Sequence, residues 1–306
     1  MKKLYPLFLA FLIMISCSKK EQYRLGFRIP VGQQIEIYQT QSMEMENFME
    51  KENQKIKTIS ETWSKWSIAG YGKDSIMEIK HTYERYISNI GMGDSIKISD
   101  SNDPSTMKSS EDSEMNSLAV LIGRTIDLSL NKNGKVIDIK GTESIKEEIL
   151  KDSAAYGKQF DVFLENLSNE GMKAQFDVFH IYPDKPVKVG DTWNAEWSMS
   201  YGITFKINNT YTLRNVVGDT AVIDISGLVS TSNSTSKIDA KNPMAALSKM
   251  MTINGKYSGE IKSDIKTGFI YKNEQTFDVK AEINMLGMKL PMNMMGSTSL
   301  KMTKVN

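Results

Sequence analysis

A strict alternation of apolar and polar residues, repeated along most of the chain, constrains the fold more than any other feature of the sequence. From Trp193 to Tyr201 every odd position is apolar or aromatic, and Asn, Glu and Ser occupy the positions between. Successive side chains of a β-strand point to opposite faces, so this period of two indicates strands with one buried face. We therefore expect a mostly β protein of the α+β type. The alternation recurs in 205–214, 269–285 and 290–302, and further strands are predicted near 33–46, 56–68, 75–88, 118–130, 135–140, 221–230 and 253–264.

Short turns between these segments predict antiparallel sheets. Asn133-Gly134 and Thr267-Gly268 each join two predicted strands, and connections this short cannot link parallel neighbours. The segments IPVGQ (29–33) and VKVGD (187–191) open the two strand-rich regions in a similar way. Two similar β halves would explain this likeness, and they would form either two packed sheets or one continuous curved sheet. An AT-rich codon bias towards Ile, Lys and Asn would account for part of it.

One segment follows helical spacing instead, and it predicts a helical connector near 143–181. Ser144 and Glu147 have the spacing of a capping box, in which each side chain satisfies a free backbone N–H of the first turn. Apolar residues then recur near a period of 3.6. Residues 169–171 are expected to end or interrupt this run, before a second, shorter helix that stops at Tyr182-Pro183.

These patterns divide the chain into regions. The first β region covers 25–141, the helical connector 142–181 and the second β region 182–306. Within the first region, segment 99–117 is rich in Ser, Asp and Glu and has few apolar residues, so we predict a mobile loop there.

The N-terminal segment has the features of a secretory signal peptide, predicted at residues 1–16. Lys2 and Lys3 precede an apolar stretch that is shorter than the roughly 20 residues a membrane-spanning helix needs. The segment Met14-Ile15-Ser16-Cys17 resembles the lipobox of bacterial lipoproteins, with Met in place of the usual Leu. That resemblance implies cleavage before Cys17, lipidation of its thiol and a short tether over 17–24. A plain secretory signal followed by a free cysteine is the alternative.

Charge and cysteine content exclude several classes of protein. Loss of Lys2 and Lys3 with the signal peptide would change the formal net charge from +1 to −1, since two positive charges leave. Such a balanced chain is not expected to bind nucleic acid. With one cysteine in the sequence, neither an internal disulfide nor a cluster of thiolate metal ligands can form. Stability must then come from an apolar core.

The sequence provides few candidates for catalysis. His81 lies on an alternating strand, where a buried core histidine is the usual outcome, and His180 lies at the end of a predicted helix. Neither has an obvious catalytic partner, and the sequence lacks the nucleophile-elbow, phosphate-loop and dinucleotide motifs. We assign no catalytic residue, no cofactor and no metal.

Methionine is unusually frequent, with twenty residues in the chain and several near its end. Methionine fills irregular cores and lines adaptable apolar grooves, and thioether clusters also bind Cu(I). An apolar groove is the hypothesis that names candidate ligand-binding residues in this chain: Trp193, Trp197, Met285, Met292 and Met294.

The segment YPDKPVKVGDTW, residues 182–193, is similar to a "yPxxPVxVGDxW" segment found in lipoproteins of the Bacteroidota, in a family of about 300 residues whose domain has no known function. The resemblance implies a lipid-anchored envelope protein in which a helical connector precedes a second β region, and it brings no catalytic residue. Physically, the prolines fix an extended approach, Gly190 permits a turn and Asp191 caps that turn. A ligand loop at Asp184 and Asp191 is the alternative interpretation of this segment.

Together these features predict a non-enzymatic, lipid-anchored envelope protein that binds an apolar small molecule or another envelope protein. Segment 18–21 lacks the acidic run that resembles surface-export signals, so we expect the body to lie in the periplasm beneath the outer membrane, with surface exposure as the alternative. Two other functions remain open: a hydrolase whose site uses acids such as Asp184 and Asp191, and Cu(I) handling by the methionines.

Overall fold

A computed structural model describes residues 21–49, 52–93, 95–103, 106, 120–151, 164, 167–200, 204–231, 250–285 and 288–305. Twelve strands in this part of the chain form one antiparallel sheet, which confirms the predicted mostly β fold. The strands are β1 (Gln34–Met49), β2 (Glu52–Tyr71), β3 (Met77–Met92), β4 (Ser95–Asp100), β5 (Thr125–Leu130), β6 (Val136–Lys140), β7 (Thr192–Ser200), β8 (Thr204–Val217), β9 (Thr220–Thr231), β10 (Met251–Asp264), β11 (Ile270–Met285) and β12 (Met288–Val305).

The two strand-rich regions join along the first and last strands of the chain. The order across the sheet is β6-β5-β3-β2-β1-β12-β11-β10-β9-β8-β7, and β4 pairs with the part of β3 beyond β5. The β1–β12 ladder runs from the pair Gln34 and Val305 to the pair Asn47 and Met292. Of the two arrangements left open by the sequence, the structure therefore has the continuous curved sheet. The turns at Gly134 and Gly268 join β5 to β6 and β10 to β11, as expected.

Helix α2 spans the two edges of the sheet. The described helices are α1 (Thr142–Lys151) and α2 (Asn169–Phe176), and a 3-10 turn (Asp177–Phe179) follows α2. Helix α2 packs against both β6 and β7, which are the edge strands. The sheet must therefore curve enough for one helix to contact both of its edge strands. The buried face of the sheet lies on the inside of this curve, and we call it the inner face.

Both helix boundaries differ from the sequence prediction. Helix α1 begins at Thr142, so Ser144 lies inside the first turn and donates its hydroxyl to the Gly141 carbonyl at 2.9 Å, and the predicted capping box does not define the start of the helix. The second, shorter helix expected before Tyr182-Pro183 is α2, but it begins at Asn169 and not after residue 171, because Ser168 Oγ accepts the Gly171 N–H at 3.1 Å and acts as the N-cap.

Two strand predictions also need correction. The strand expected at 118–130 begins only at Thr125, after a turn that contains Gly123 in a positive-φ conformation. Strand β4 was not predicted, and it includes residues 99 and 100 of the polar segment 99–117. Arg85 Nη2 lies 2.5 Å from Asp100 Oδ2, so an ion pair fixes the end of β4, which polarity alone did not indicate. Residues 104–105 and 107–119 of that segment lie outside the described residues.

The main core fills one end of the inner face, which we call the proximal end. Here the chain before β1 crosses beneath the sheet, where Phe27 N–H donates to the Lys132 carbonyl at 2.8 Å and Arg28 N–H to the Thr267 carbonyl at 2.7 Å. Phe27 packs edge-to-face on Tyr182 with ring centroids 5.1 Å apart. Segments from both strand-rich regions therefore close this end together.

A second and separate apolar cluster occupies the other, distal end of the inner face. Ile253, Val279 and Ala281 form its buried centre. Partly buried apolar side chains surround this centre: Phe205, Val229, Met251, Phe277, Met292 and Met294. The distal cluster belongs to strands β8 to β12, and it is the region where a cavity opens.

Candidate functional site

The distal cavity is a pocket of about 240 Å³ on the inner face of strands β7 to β12. Six of its lining residues are apolar or aromatic and three are polar, and none of these nine described residues carries a charge. The lining residues are Trp197, Phe205, Ile207, Val229, Phe277 and Val279, with Tyr257, Gln275 and Thr298 as the polar members.

Three glycines in the strands make room for the walls of this cavity. The ring of Tyr257 lies over Gly227, and the ring of Phe277 lies over Gly296. Val279 lies over Gly255 in the same way, and a Cβ at any of the three positions would overlap the side chain above it. Glycine inside a strand often marks such a close approach. The glycines thus let large side chains lie flat against the sheet, which leaves the space between them open.

A chain of hydrogen bonds leads from the cavity towards the main core. The Tyr257 hydroxyl donates to Asn209 Oδ1, Asn209 Nδ2 donates to the Tyr211 hydroxyl at 2.8 Å, and that hydroxyl lies 3.5 Å from the His180 carbonyl. Burial raises the pKa of Tyr211 to about 12 and also raises the pKa of Tyr257. Both phenols therefore stay neutral over the physiological pH range.

Polar side chains in register cross the inner face between the main core and the distal cluster. This polar row consists of Ser88, Ser60, Gln41, Thr298 and Gln275, which pair directly from β3 through β2, β1 and β12 to β11. Ser88 is 1% exposed, and its Oγ has no hydrogen-bond partner among the described residues. A buried hydroxyl without a partner is costly. The polar row is therefore suited to an additional polar partner such as water or a ligand group.

The polar row reaches the cavity at its β11 end, because Gln275 and Thr298 belong to both. Gln275 Nε2 donates to Asn273 Oδ1 at 2.9 Å, which leaves its Oε1 as an acceptor. The cavity is thus apolar along most of its wall and polar at one end.

The structure brings some of the sequence-predicted site residues together and separates others. Trp197 lines the cavity, and Met292 and Met294 pack beside it on the distal cluster. Trp193 lies on the main core, where its ring stacks on Tyr211 at 5.8 Å and its Nε1–H donates to the Ile181 carbonyl at 2.9 Å. Met285 ends β11, but its side chain is not among those described. Position 17 also lies outside the described residues.

Sequence reasoning did not single out Tyr257, Gln275 or Thr298 as site residues. The available signal was the set of glycines inside otherwise regular strands, at 227, 255 and 296. That signal marks positions of close contact, but it names no partner, because the partner depends on the register between strands.

The two histidines have structural surroundings. His81 is 3% exposed, and its Nδ1 accepts the Trp66 Nε1–H at 2.9 Å. Burial lowers the pKa of His81 to about 3, and its ring lies edge-to-face with Phe176 at 4.8 Å. Burial also lowers the pKa of His180. Both imidazoles are therefore neutral at pH 7, and neither lines the distal cavity.

The acidic residues of segment 182–193 serve separate turns. Asp184 accepts a hydrogen bond from Asn133 Nδ2. Asp191 Oδ2 accepts the Lys188 N–H at 2.8 Å, beside Gly190 with a φ of +95°. In the described part of the chain, no group of three or more His, Cys, Asp or Glu side chains could hold a metal ion.

Within the residues that the structure describes, none of the helices has the length and apolar character needed to cross a bilayer.

Comparison with known proteins gives a family match and distant structural likenesses. A model described as "Family of unknown function (DUF6263)" matches residues 74–270. No curated protein matches the sequence. Among solved structures, a lipovitellin chain is 9% identical with a TM-score of 0.49, and the alignment covers 90% of this chain but 25% of lipovitellin, so the chain spans about a quarter of that protein.

Two further solved structures align over 90% of this chain with lower scores. The translocator domain of the autotransporter NalP from Neisseria meningitidis is 8% identical, with 89% of its chain covered and a TM-score of 0.22. OccK7 from Pseudomonas aeruginosa is 5% identical, with 100% covered and a TM-score of 0.23. Scores at this level do not show a shared fold.

Proposed function

The chain belongs to the DUF6263 family, whose function is unknown, and we propose that it is a lipid-anchored cell-envelope protein that binds an apolar small molecule in the distal cavity. The observation that carries the proposal is the cavity itself, with six apolar and no charged residues among the nine that line it. Small-molecule sites are typically concave and mostly apolar, with a few polar groups that fix orientation.

The cavity favours a small molecule over an envelope protein as the ligand. A stable protein interface buries about 800 Å² on each partner, and it needs a broad accessible surface. A pocket of about 240 Å³ behind a curled sheet provides space for a compact or linear molecule instead. The cavity also favours binding over acid–base catalysis, since Tyr257 is the one titratable group among its described lining residues and its pKa is raised.

The envelope location rests on the N-terminal segment. The sequence before Cys17 resembles a lipobox, and acyl chains on that cysteine would hold the protein at a membrane without a spanning helix. We propose that the body lies in the periplasm beneath the outer membrane. Metabolic labelling with a fatty-acid analogue tests the anchor, because Cys17→Ala should abolish incorporation and labelling of the variant would contradict it.

Native mass spectrometry of protein purified gently from its own host tests the binding function. The chain from residue 18 to 306 can be exported behind a cleavable signal peptide, and it keeps all twelve described strands. We expect a bound apolar molecule that organic extraction releases.

A matched pair of variants tests whether that molecule occupies the cavity. Val229→Phe places a phenyl ring in the cavity, whereas Leu228→Phe changes the adjacent residue, which is 63% exposed on the opposite face of β9. The bound mass should disappear from Val229→Phe and persist in Leu228→Phe. A bound mass retained equally by both variants would place the ligand elsewhere and refute the assignment.

A further inference from the structure

The positions of polar and apolar groups in the distal cavity define the class of ligand. We infer, on the basis of the proposed binding function, that the ligand is an uncharged single-chain amphiphile. Its hydroxyl or similar hydrogen-bonding group lies at Gln275 and Thr298, and its chain lies against Val229, Val279 and their apolar neighbours.

The cavity has a polar end and an apolar end along the strand direction. Gln275 pairs directly with Thr298, and this pair forms the polar end. Four residues further along β11, Val279 belongs to a row that continues through Gly255 and Val229 to Ile207 and Trp197. At about 3.3 Å per residue the two ends are roughly 13 Å apart. That separation suits a linear molecule with its polar group at one end.

The charge distribution excludes an ionised headgroup. No lysine, arginine or histidine is among the nine described residues that line the cavity. Lys256 and Lys280 belong to the same strands, but they alternate with Tyr257 and Val279 and so project from the outer face. A carboxylate or phosphate buried here would lose its hydration without gaining a cationic partner. The nine described lining residues also include no aspartate or glutamate to pair with a cation, so the ligand group at the polar end must be neutral.

The hydrogen-bonding groups at the polar end match a hydroxyl. Gln275 Oε1 can accept a hydrogen bond, because Gln275 donates through its amide nitrogen to Asn273. The Thr298 hydroxyl lines the same end of the cavity, and a hydroxyl can donate one hydrogen bond. A ligand hydroxyl could satisfy both groups at once. Ser88, whose buried Oγ lacks a described partner, lies in the same polar row.

The size of the cavity favours one chain over two. Its volume of about 240 Å³ equals roughly eight water molecules at about 30 Å³ each, and it lies below the 300–1,000 Å³ typical of pockets for drug-sized ligands. A two-chain phospholipid would not fit. The remainder of a longer chain would lie on the adjoining partly buried Met292 and Met294.

Titration calorimetry with three twelve-carbon probes tests this inference at pH 8, below their aggregation concentrations. We expect the exported chain to bind 1-dodecanol at least tenfold more tightly than dodecanoate. Thr298→Val, which keeps the shape of the side chain, should weaken dodecanol binding about fivefold, since it removes one hydrogen bond. The same variant should weaken binding of methyl dodecanoate by a similar factor, because the ester oxygen also accepts from Thr298. Gln275→Leu should weaken dodecanol binding but leave the affinity for methyl dodecanoate within about twofold, because the ester has no hydrogen to donate to Gln275 Oε1.

The outcomes separate this inference from the binding function. Equal affinity of the unmodified protein for dodecanol and dodecanoate would overturn the neutral-headgroup inference and leave apolar binding intact. Absence of binding by all three probes, combined with no bound mass in protein from its host, would overturn the proposed function itself. If Thr298→Val fails to fold, as judged by circular dichroism, Gln275→Leu and the selectivity of the unmodified protein decide the question.

Discussion

The buried His81 predicts a specific loss of stability in mild acid. Its pKa is lowered to about 3 in the folded protein, whereas an unfolded chain has the ordinary value of about 6.5. The unfolded state therefore takes up a proton as the pH falls through 6.5, and the folded state does so only near pH 3. Stability must fall as the pH decreases between these two values, with no further loss from His81 below them.

The size of this loss follows from the difference in pKa. At pH 5 protonation of His81 stabilises the unfolded state by RT ln(1 + 10^1.5), which is about 2 kcal/mol. At pH 7 the same stabilisation is less than about 0.2 kcal/mol. Total stabilities of domains are about 5–15 kcal/mol, so one imidazole would account for a measurable fraction. The cause is burial: the ring accepts the Trp66 Nε1–H at Nδ1 and packs edge-to-face against Phe176.

Urea unfolding of the native chain and of His81→Gln at pH 7 and pH 5, followed by tryptophan fluorescence, measures the effect. Glutamine offers an oxygen that can replace Nδ1 as the acceptor for Trp66. The decrease in unfolding free energy from pH 7 to pH 5 should be about 2 kcal/mol smaller in His81→Gln than in the native chain. Contributions from His180 and from carboxylates cancel in this comparison. An equal decrease in both proteins would refute the reasoning.

Three further predictions concern the sheet and its closure. Gly227→Ala should destabilise the protein by about 1–3 kcal/mol in urea unfolding, because its Cβ overlaps the ring of Tyr257, and it should also reduce ligand binding. Tyr182→Phe should cost about 1–2 kcal/mol by the same assay, since the buried hydroxyl donates to the Gly268 carbonyl at 2.7 Å. Arg85→Met should lower stability by no more than about 1 kcal/mol, because the ion pair with Asp100 is partly exposed, but amide exchange in β4 should accelerate.

The sequence predicts the strands well because their evidence is local. Alternation from Trp193 to Tyr201 places alternate side chains on one face whatever the neighbouring strand contains, and glycine at 134 and 268 marks turns by backbone geometry. Strand β4 was not predicted, because only Ile96 and Ile98 provide local evidence for a strand. The remaining evidence is its pairing with β3, which the sequence does not show.

The site could be predicted only in part, because it depends on register. Trp197, Met292 and Met294 have the parity of the buried face, which is visible in the sequence. Trp193 shares that parity, yet it lies four residues from Trp197 along β7 and belongs to the main core, beside Tyr211. Periodicity identifies the face of the sheet on which a side chain lies, but it does not show whether the side chain lies at the proximal or the distal end of that face.

The separation of core and cavity gives the proposed anchor a physical role. Tyr23 pairs with Val187 at the proximal end, so a tether from Cys17 would join the body at the end that the main core closes. Val279 lies nine residues along β11 from Ile270, which is roughly 30 Å at about 3.3 Å per residue. The main core thus lies at the proximal end, and the cavity, whose nine described lining residues are uncharged, lies at the distal end. In the proposed arrangement, the apolar end of the cavity would lie about 30 Å along the sheet from the end that carries the tether.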